Sequence, residues 1–247
     1  MTAVNTSSQD SSSACSADQN HIALHFNYDA IRDAKNIVES SRLSFHESLS
    51  YLVGFGGSIF PQATTWPDVV DAASSFDREH RSLIESVLAS FTSHWQTFRK
   101  PVLDCLHEIF NERLSIQTVN VYLTSCSRCP YDPNAPSFMV SIWASPLEVV
   151  YTCAHELFHI HFWRINGNRI RELPNAASSN LLESFIAILN DELPKHIPIV
   201  SGSCRIDTPD GKVVRDIWRR TRNLHLTVGE AWNKLEHCSQ FAPNISP

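Results

Sequence analysis

No stretch of this chain approaches the roughly 18 consecutive apolar residues of a membrane span, so none is expected. The first 20 residues, MTAVNTSSQDSSSACSADQN, lack the basic start and apolar run of a secretory signal. Their Ser-rich, polar composition reads as a disordered tail, placed at residues 1–24. A non-cleaved export signal of a secreted effector fits the same composition and is the alternative. The seven Cys are odd in number and show no disulfide framework, which points to thiols in a reducing compartment, the cytoplasm. Basic residues do not cluster except in Arg215–Arg222 (RDIWRRTR), and the formal net charge is −6. A short run of that kind is usually a solvated helix face, so nucleic acid is not an expected partner. No internal repeat is visible.

What remains is a globular composition: 43% hydrophobic and 19% charged residues over 247 positions. That is enough for one sizeable core, assigned to residues 25–247. Residues 28–53 read as one or two helices ended by Gly54, Gly56 and Gly57. Residues 77–113 carry a helical stripe (Leu83, Ile84, Val87, Leu88, Phe91, Trp95, Phe98), with Pro101 expected to break or kink it. The pattern then alternates: Val119, Val121 and Leu123 mark one strand, and Phe138, Val140 and Ile142 a second, separated by the turn-rich CSRCPYDPNAP. A well-signalled helix follows. Ser145 caps it, Pro146 takes its first position, Glu148 completes a capping box, and Asn166-Gly167 offers a stop. Further helices are expected at 179–192, ending before Pro194, at 212–224, and at 228–240 with a capping box from Thr227 to Glu230. The expected class is α+β: mostly helical, with a small mixed sheet packed beside the helix that follows the second strand. The helical N-terminal part is 25–113, the core with both strands and the capped helix 114–193 and the helical C-terminal part 194–247.

Inside the capped helix lies H-E-L-F-H, residues 155–159. Spacing of i, i+4 puts two side chains about 40° apart around a helix and about 6 Å apart along it, so His155 and His159 can reach one ion. Glu156, about 100° around from His155, can flank that ion without ligating it. With 12 His in the chain, random placement gives roughly 0.03 matches to H-E-x-x-H. Zinc held by neutral imidazoles lowers the pKa of its water to about 7, and an adjacent carboxylate can take the proton and pass it to a leaving amine.

The strand SFMVSIW followed by the helix PLEVVYTCAHELFHIHFW resembles the zincin metallopeptidases over residues 137–192. The resemblance implies a zincin-like catalytic domain and a peptide or protein substrate aligned on an edge strand beside the helix. The longer metzincin motif is absent, since Phe162 and Ile165 stand where it needs Gly and His. A third ligand is therefore sought downstream. Glu183, 24 residues after His159 on the next helix, resembles the gluzincin arrangement, and its apolar neighbours Leu182, Phe185, Ile186 and Leu189 set it near a buried edge. Glu172, Asp191 and Glu192 are its rivals. The segment LLESFIAILNDELP also faintly resembles the ImmA/IrrE-type regulatory peptidases, whose Glu-Ala-Asn core it lacks.

Other residues carry weaker signals. Tyr151 lies on the stripe of the two histidines and reads as packing or as support for them. His161 and Cys153 point elsewhere. Cys126-x-x-Cys129 is half of a zinc knuckle, a dithiol, or two loop thiols. Tyr122, Tyr131, His225 and His237 are candidates to stabilise an oxyanion. The expected activity is a zinc-dependent hydrolase, a peptidase, with Glu156 as general base. Two alternatives share the scaffold: a non-haem iron oxygenase using two His and one carboxylate, and a catalytically inactive zincin-like binding protein.

Overall fold

The computed structural model describes residues 22–43, 65–112, 114, 116–126, 128–172, 175–198 and 208–239. The expected helix over SRLSFHESLSYLVGF and its glycine stop fall largely outside them, as does most of the N-terminal tail.

Val119, Val121 and Leu123 alternate along β2 (Thr118–Thr124) and are fully buried. Such alternation turns one strand face toward a core. On one side β2 pairs in parallel with β1 (Ala23–Tyr28), and on the other with β4 (Ser137–Ser141). The two-residue β3 (Tyr131–Asp132) runs antiparallel along the outer side of β4. The sheet order is β1-β2-β4-β3, a small mixed sheet. Register places Phe138 beside Val121 and Val140 beside Leu123, so these four share the core-facing side.

Seven helices are described: α1 (Ala30–Leu43), α2 (Trp66–Glu79), α3 (Arg81–Phe110), α4 (Pro146–Ile170), α5 (Asn175–His196), α6 (Pro209–Thr221) and α7 (Leu224–Ser239). The chain is thus α+β and mostly helical, with the sheet packed beside α4. α1 covers the opposite sheet face. Its Asp33 is fully buried and accepts from Thr124 Oγ1 at 2.6 Å and from the Ser125 N–H at 3.0 Å. Burial pushes the Asp33 carboxyl up, against the pull of those hydrogen bonds.

The layer behind the sheet is aromatic. Phe110 of α3 meets Phe158 of α4 at 5.0 Å, Phe158 stacks on Phe162 at 5.8 Å, and Phe162 meets Phe185 of α5 at 4.7 Å. Each such side chain contributes about 1.5–3 kcal/mol on burial, and together they lock α3, α4 and α5 side by side. Glu192 then ties α5 to α6, accepting from Trp218 Nε1 at 2.8 Å and from Arg222.

Several sequence expectations are corrected. The first strand was not expected, and it begins at Ala23, inside the stretch assigned to the tail. Its pairing partner β2 lies about ninety residues downstream, beyond the reach of any local pattern. Pro101 does not break its segment: α3 runs through it, and the division falls at His80 instead. A proline costs an inner helix about 3 kcal/mol, but Val102, Cys105 and Leu106 beside it are fully buried and offset that loss. Pro194 likewise lies within α5, next to the buried Leu193 and Ile197. α4 passes Asn166-Gly167 and ends at Ile170, because Gly167 packs against the Trp163 indole, where an added Cβ would stand 3.3 Å from Nε1. The last helix starts at Leu224. Asn223 Oδ1 accepts from the Leu226 N–H at 3.1 Å, while the Thr227 hydroxyl, expected as the cap, donates to the Asn223 carbonyl at 2.8 Å. Turn residues between the two downstream strands also hold the short β3, which reads as irregular from sequence.

Candidate metal centre

The start of α4 is set by local chemistry. The Glu148 N–H donates to Ser145 Oγ at 3.3 Å, and the Ser145 N–H donates back to Glu148 Oε2 at 2.7 Å. This is the reciprocal capping box expected from sequence, with Pro146 at the first position. Only Ile142–Ser145 separate it from the end of β4, so the strand fixes where α4 begins. Two to three turns on, His155 and His159 leave the helix on one side.

Their Nε2 atoms lie 2.9 Å apart. Glu183 reaches them from α5, with one carboxylate oxygen 3.2 Å from His159 Nε2 and the other 3.7 Å from His155 Nε2. Among the described residues these three alone form a cluster able to hold a metal ion. The fit is testable by geometry. Tetrahedral zinc with nitrogen and oxygen donors at about 2.0–2.1 Å puts neighbouring donors about 3.3–3.4 Å apart. The measured edges of 2.9, 3.2 and 3.7 Å bracket that value. The donor types suit zinc, and a non-haem iron as well.

The electrostatics favour ligation. Burial, helped by the neighbouring His159, pushes His155 down to about 3, so its ring is neutral and its lone pair available at any ordinary pH. Burial raises the Glu183 carboxyl, but the hydrogen bond from His159 and the two imidazoles outweigh it and hold the group below its usual range. Glu183 keeps 55% of its side chain exposed, whereas His159 keeps 1%. The cluster therefore has a buried floor and an open rim.

Glu156 lies 4.0 Å from His155 Nε2 and is 5% exposed. Its Oε2 is buried and has no hydrogen-bond partner among the described residues. Burial first, and then the charge of Glu183, push its carboxyl well above the ordinary range. An orphaned buried carboxyl is costly, and a cation beside it reverses the local pKa logic by favouring the charged form.

The His159 ring is held in an unusual way. Metal-ligating histidines generally donate their second ring nitrogen to a carboxylate or carbonyl. Here Nδ1 is buried without a partner among the described residues, and Tyr131 of β3 instead stacks on the ring, 5.1 Å between centroids and 9° between planes. Of the four residues considered for an oxyanion, Tyr131 stacks directly on a ring of the cluster. Burial, Glu156 and Glu183 push its phenol up to about 12. Tyr122 lies on the other sheet face under Arg32, and His225 is exposed on α7. The side chain of His237 is outside the described ones.

The rivals to Glu183 are engaged elsewhere. Asp191 pairs with Arg215 at 3.1 Å and Arg219 at 2.8 Å, Glu192 with Lys195, Trp218 and Arg222, and Glu172 is exposed beyond the end of α4. His161 turns away from the histidine stripe, edge-on to Phe110 and 3.2 Å from Glu112. Cys126, Cys129 and Cys153 are thiols, not disulfides, and belong to no metal cluster among the described residues. Burial pushes the Cys126 and Cys129 thiols up to about 12, which suits inert thiols and not a reactive pair. The edge strand beside α4 is Tyr131–Asp132, whereas SFMVSIW, which the zincin resemblance used, lies inside the sheet. The exposed basic run of α6 is largely spent on Asp191, Glu192 and Glu230.

No protein-family model, curated protein or solved structure matches the chain.

Proposed function

We propose that the chain is a zinc-dependent hydrolase that cleaves peptide bonds, with His155, His159 and Glu183 as metal ligands and Glu156 as general base. The observation that carries this reading is the convergence of the three donors beside the buried Glu156 carboxyl, whose Oε2 has no hydrogen-bond partner among the described residues. Zinc held there supplies a water acidified toward neutral pH and a polarised scissile carbonyl.

The remaining chemistry belongs to the side chains. Glu156 takes the proton of the attacking water on a carboxylate oxygen and delivers it to the departing amine, so one group serves as base and then as acid. Its burial keeps that proton from exchanging with bulk water. The Tyr131 phenol, protonated at neutral pH and beside His159, is a donor for the oxygen on which negative charge grows. Among the described residues β3 pairs only with β4. Its outer side is therefore where an extended substrate adds as a further strand.

The iron-oxygenase reading uses the same three ligands but gives Glu156 no task. The inactive-scaffold reading leaves a costly buried acid unexplained. Both are weaker for that reason. Among the described residues no helix is long and apolar enough to cross a membrane. The buried thiols suit the reducing cytoplasm, and the spent basic run suits a partner other than nucleic acid.

The test is metal analysis and turnover on one set of proteins. The wild type purified without added metal should carry close to one zinc per chain and cleave peptides. Glu156→Gln should keep zinc and lose about 10²-fold or more of kcat, while His155→Ala should lose zinc. Iron with oxygen-dependent turnover, or zinc with no peptide cleavage across a broad peptide library, would overturn the assignment.

A further inference from the structure

A cleft of about 500 Å³ opens on the sheet face opposite α4, between α1 and the β3 edge. Tyr131 belongs to its wall and also stacks on His159, so the cleft begins one residue from the candidate metal centre. Two cations and three acids line it, and their engagements differ. Asp29 Oδ1 accepts the N–H groups of Ile31 and Arg32, both at 3.0 Å, and so caps α1. Asp132 Oδ1 accepts those of Asn134 at 2.9 Å and Ala135 at 3.2 Å, closing the turn after β3. Glu39 faces Arg128 at 3.7 Å. Arg32 and Lys35, by contrast, have no carboxylate within ion-pair distance among the described residues. The guanidinium of Arg32 sits 3.9 Å over the Tyr122 ring, which fixes its position without using any of its N–H donors.

We propose that this cleft is a specificity subsite for a carboxylate of the substrate, with Arg32 and Lys35 as its counter-charges; the assignment rests on the peptidase reading above. The link between cleft and metal centre is the alternation of a strand. Register sets the sides: Met139 pairs with Tyr122, which lies under Arg32, so Ser137 and its partner Asp132 share the cleft side, whereas Phe138 and its partner Tyr131 share the side of Val121 toward α4 and only edge the cleft. A substrate strand added beside β3 turns successive side chains to these two sides in the same way. A residue an odd number of positions from the one facing His159 therefore points into the cleft. An Asp or Glu there meets two unspent cations, one of them already immobilised. The preference is periodic, appearing at odd offsets and vanishing at even ones.

The experiment uses zinc-loaded full-length Glu156→Gln and fluorescent alanine-based peptides, acetylated and amidated, with one Glu, Gln or Lys scanned through each position. A further peptide carries only a free C-terminal carboxylate, to separate a side-chain source from a chain end. Anisotropy should show Glu peptides binding about fivefold tighter than Gln peptides at alternate positions. The gap should shrink with salt and disappear in Arg32→Gln/Lys35→Gln. Both residues are exposed, so zinc content and Tm should stay unchanged. In Arg32→Glu/Lys35→Glu the preference should pass to Lys. Equal binding of Glu and Gln, absence of binding, or a Glu preference that survives in the double Gln variant overturns the subsite. Cleavage by the wild-type protein is scored separately. Selective binding without cleavage sinks the peptidase reading and leaves the carboxylate site standing, while cleavage indifferent to Glu does the reverse.

Discussion

The Tyr151 hydroxyl donates to Asn190 Oδ1 at 2.6 Å, and this bond lies on the same pair of helix faces that brings His159 against Glu183. Tyr151 precedes His155 by one turn of α4, and Asn190 follows Glu183 by two turns of α5. The two helices are thus tied at both ends of one shared stripe, and Glu183 has little freedom to slide. Tyr151→Phe should cost about 1 kcal/mol of stability and about tenfold in zinc affinity. Asn190→Ala should do the same, and the double variant no more than either. Zinc titration with a competing chelator measures it.

Among the described residues, stacking on Tyr131 and not a hydrogen bond from Nδ1 holds the His159 ring. Tyr131→Phe keeps the stack and should retain zinc while lowering kcat about 10²-fold. Tyr131→Ala removes the stack and should lower zinc affinity about tenfold as well. A Phe variant as weak in zinc as the Ala variant would show that the hydroxyl, not the ring face, holds the ligand.

Metal-free protein should lose stability as pH rises, and Glu156 is the cause. Its folded pKa lies well above the ordinary value, while in the unfolded chain it titrates near about 4.3. Above that pH the folded state holds a proton that the unfolded state has released. Stability then falls by up to about 1.4 kcal/mol per pH unit until the folded pKa is passed. His155 acts oppositely: with a folded pKa of about 3 against about 6.5 unfolded, it adds stability as pH climbs between those values and nothing beyond. Comparing wild type with Glu156→Gln cancels the histidine. Thermal scans of the two chelated proteins should diverge from about pH 4.3 upward, with Gln the more stable. Parallel curves would contradict the burial of an unsatisfied acid.

Phe185 is fully buried between α4 and α5, the two helices that carry the candidate ligands, 4.7 Å from Phe162. Phe185→Ala should cost about 3–5 kcal/mol and loosen α5 enough to weaken zinc binding. Denaturant melts with and without zinc measure both effects.

The legible parts of this molecule are those encoded within a few residues. Ser145 and Glu148 specify a helix start by themselves, and His155 and His159 specify a donor pair because one helical turn separates them. Glu183 reads as a candidate from its gluzincin-like placement and its apolar neighbours Leu182, Phe185 and Ile186; it does come within 3.2 Å of His159, although its side chain is 55% exposed and not at a buried edge. Tyr131 stood only as one name among four, since its stacking on His159 depends on β3 reaching α4. Pairing of β1 with β2 spans most of the N-terminal half, so neither strand announces the other. Pro101 is no break and Pro194 no stop, because a proline's penalty is local while the burial that offsets it is tertiary. Thr227 reads as a cap because it stands ahead of an apolar run, but the helix starts earlier, at Leu224, where Leu224 and Val228 are both buried.

The four-residue link from β4 to α4 makes the sheet a ruler for the donors. Should β4 slip by one pleat against β2, about 6.6 Å, the helix behind it would be carried along and both imidazoles would stand out of reach of the carboxylate on α5. Misregistered chains would then be unable to chelate, so the fraction of molecules holding an ion after refolding would count those whose strands had aligned.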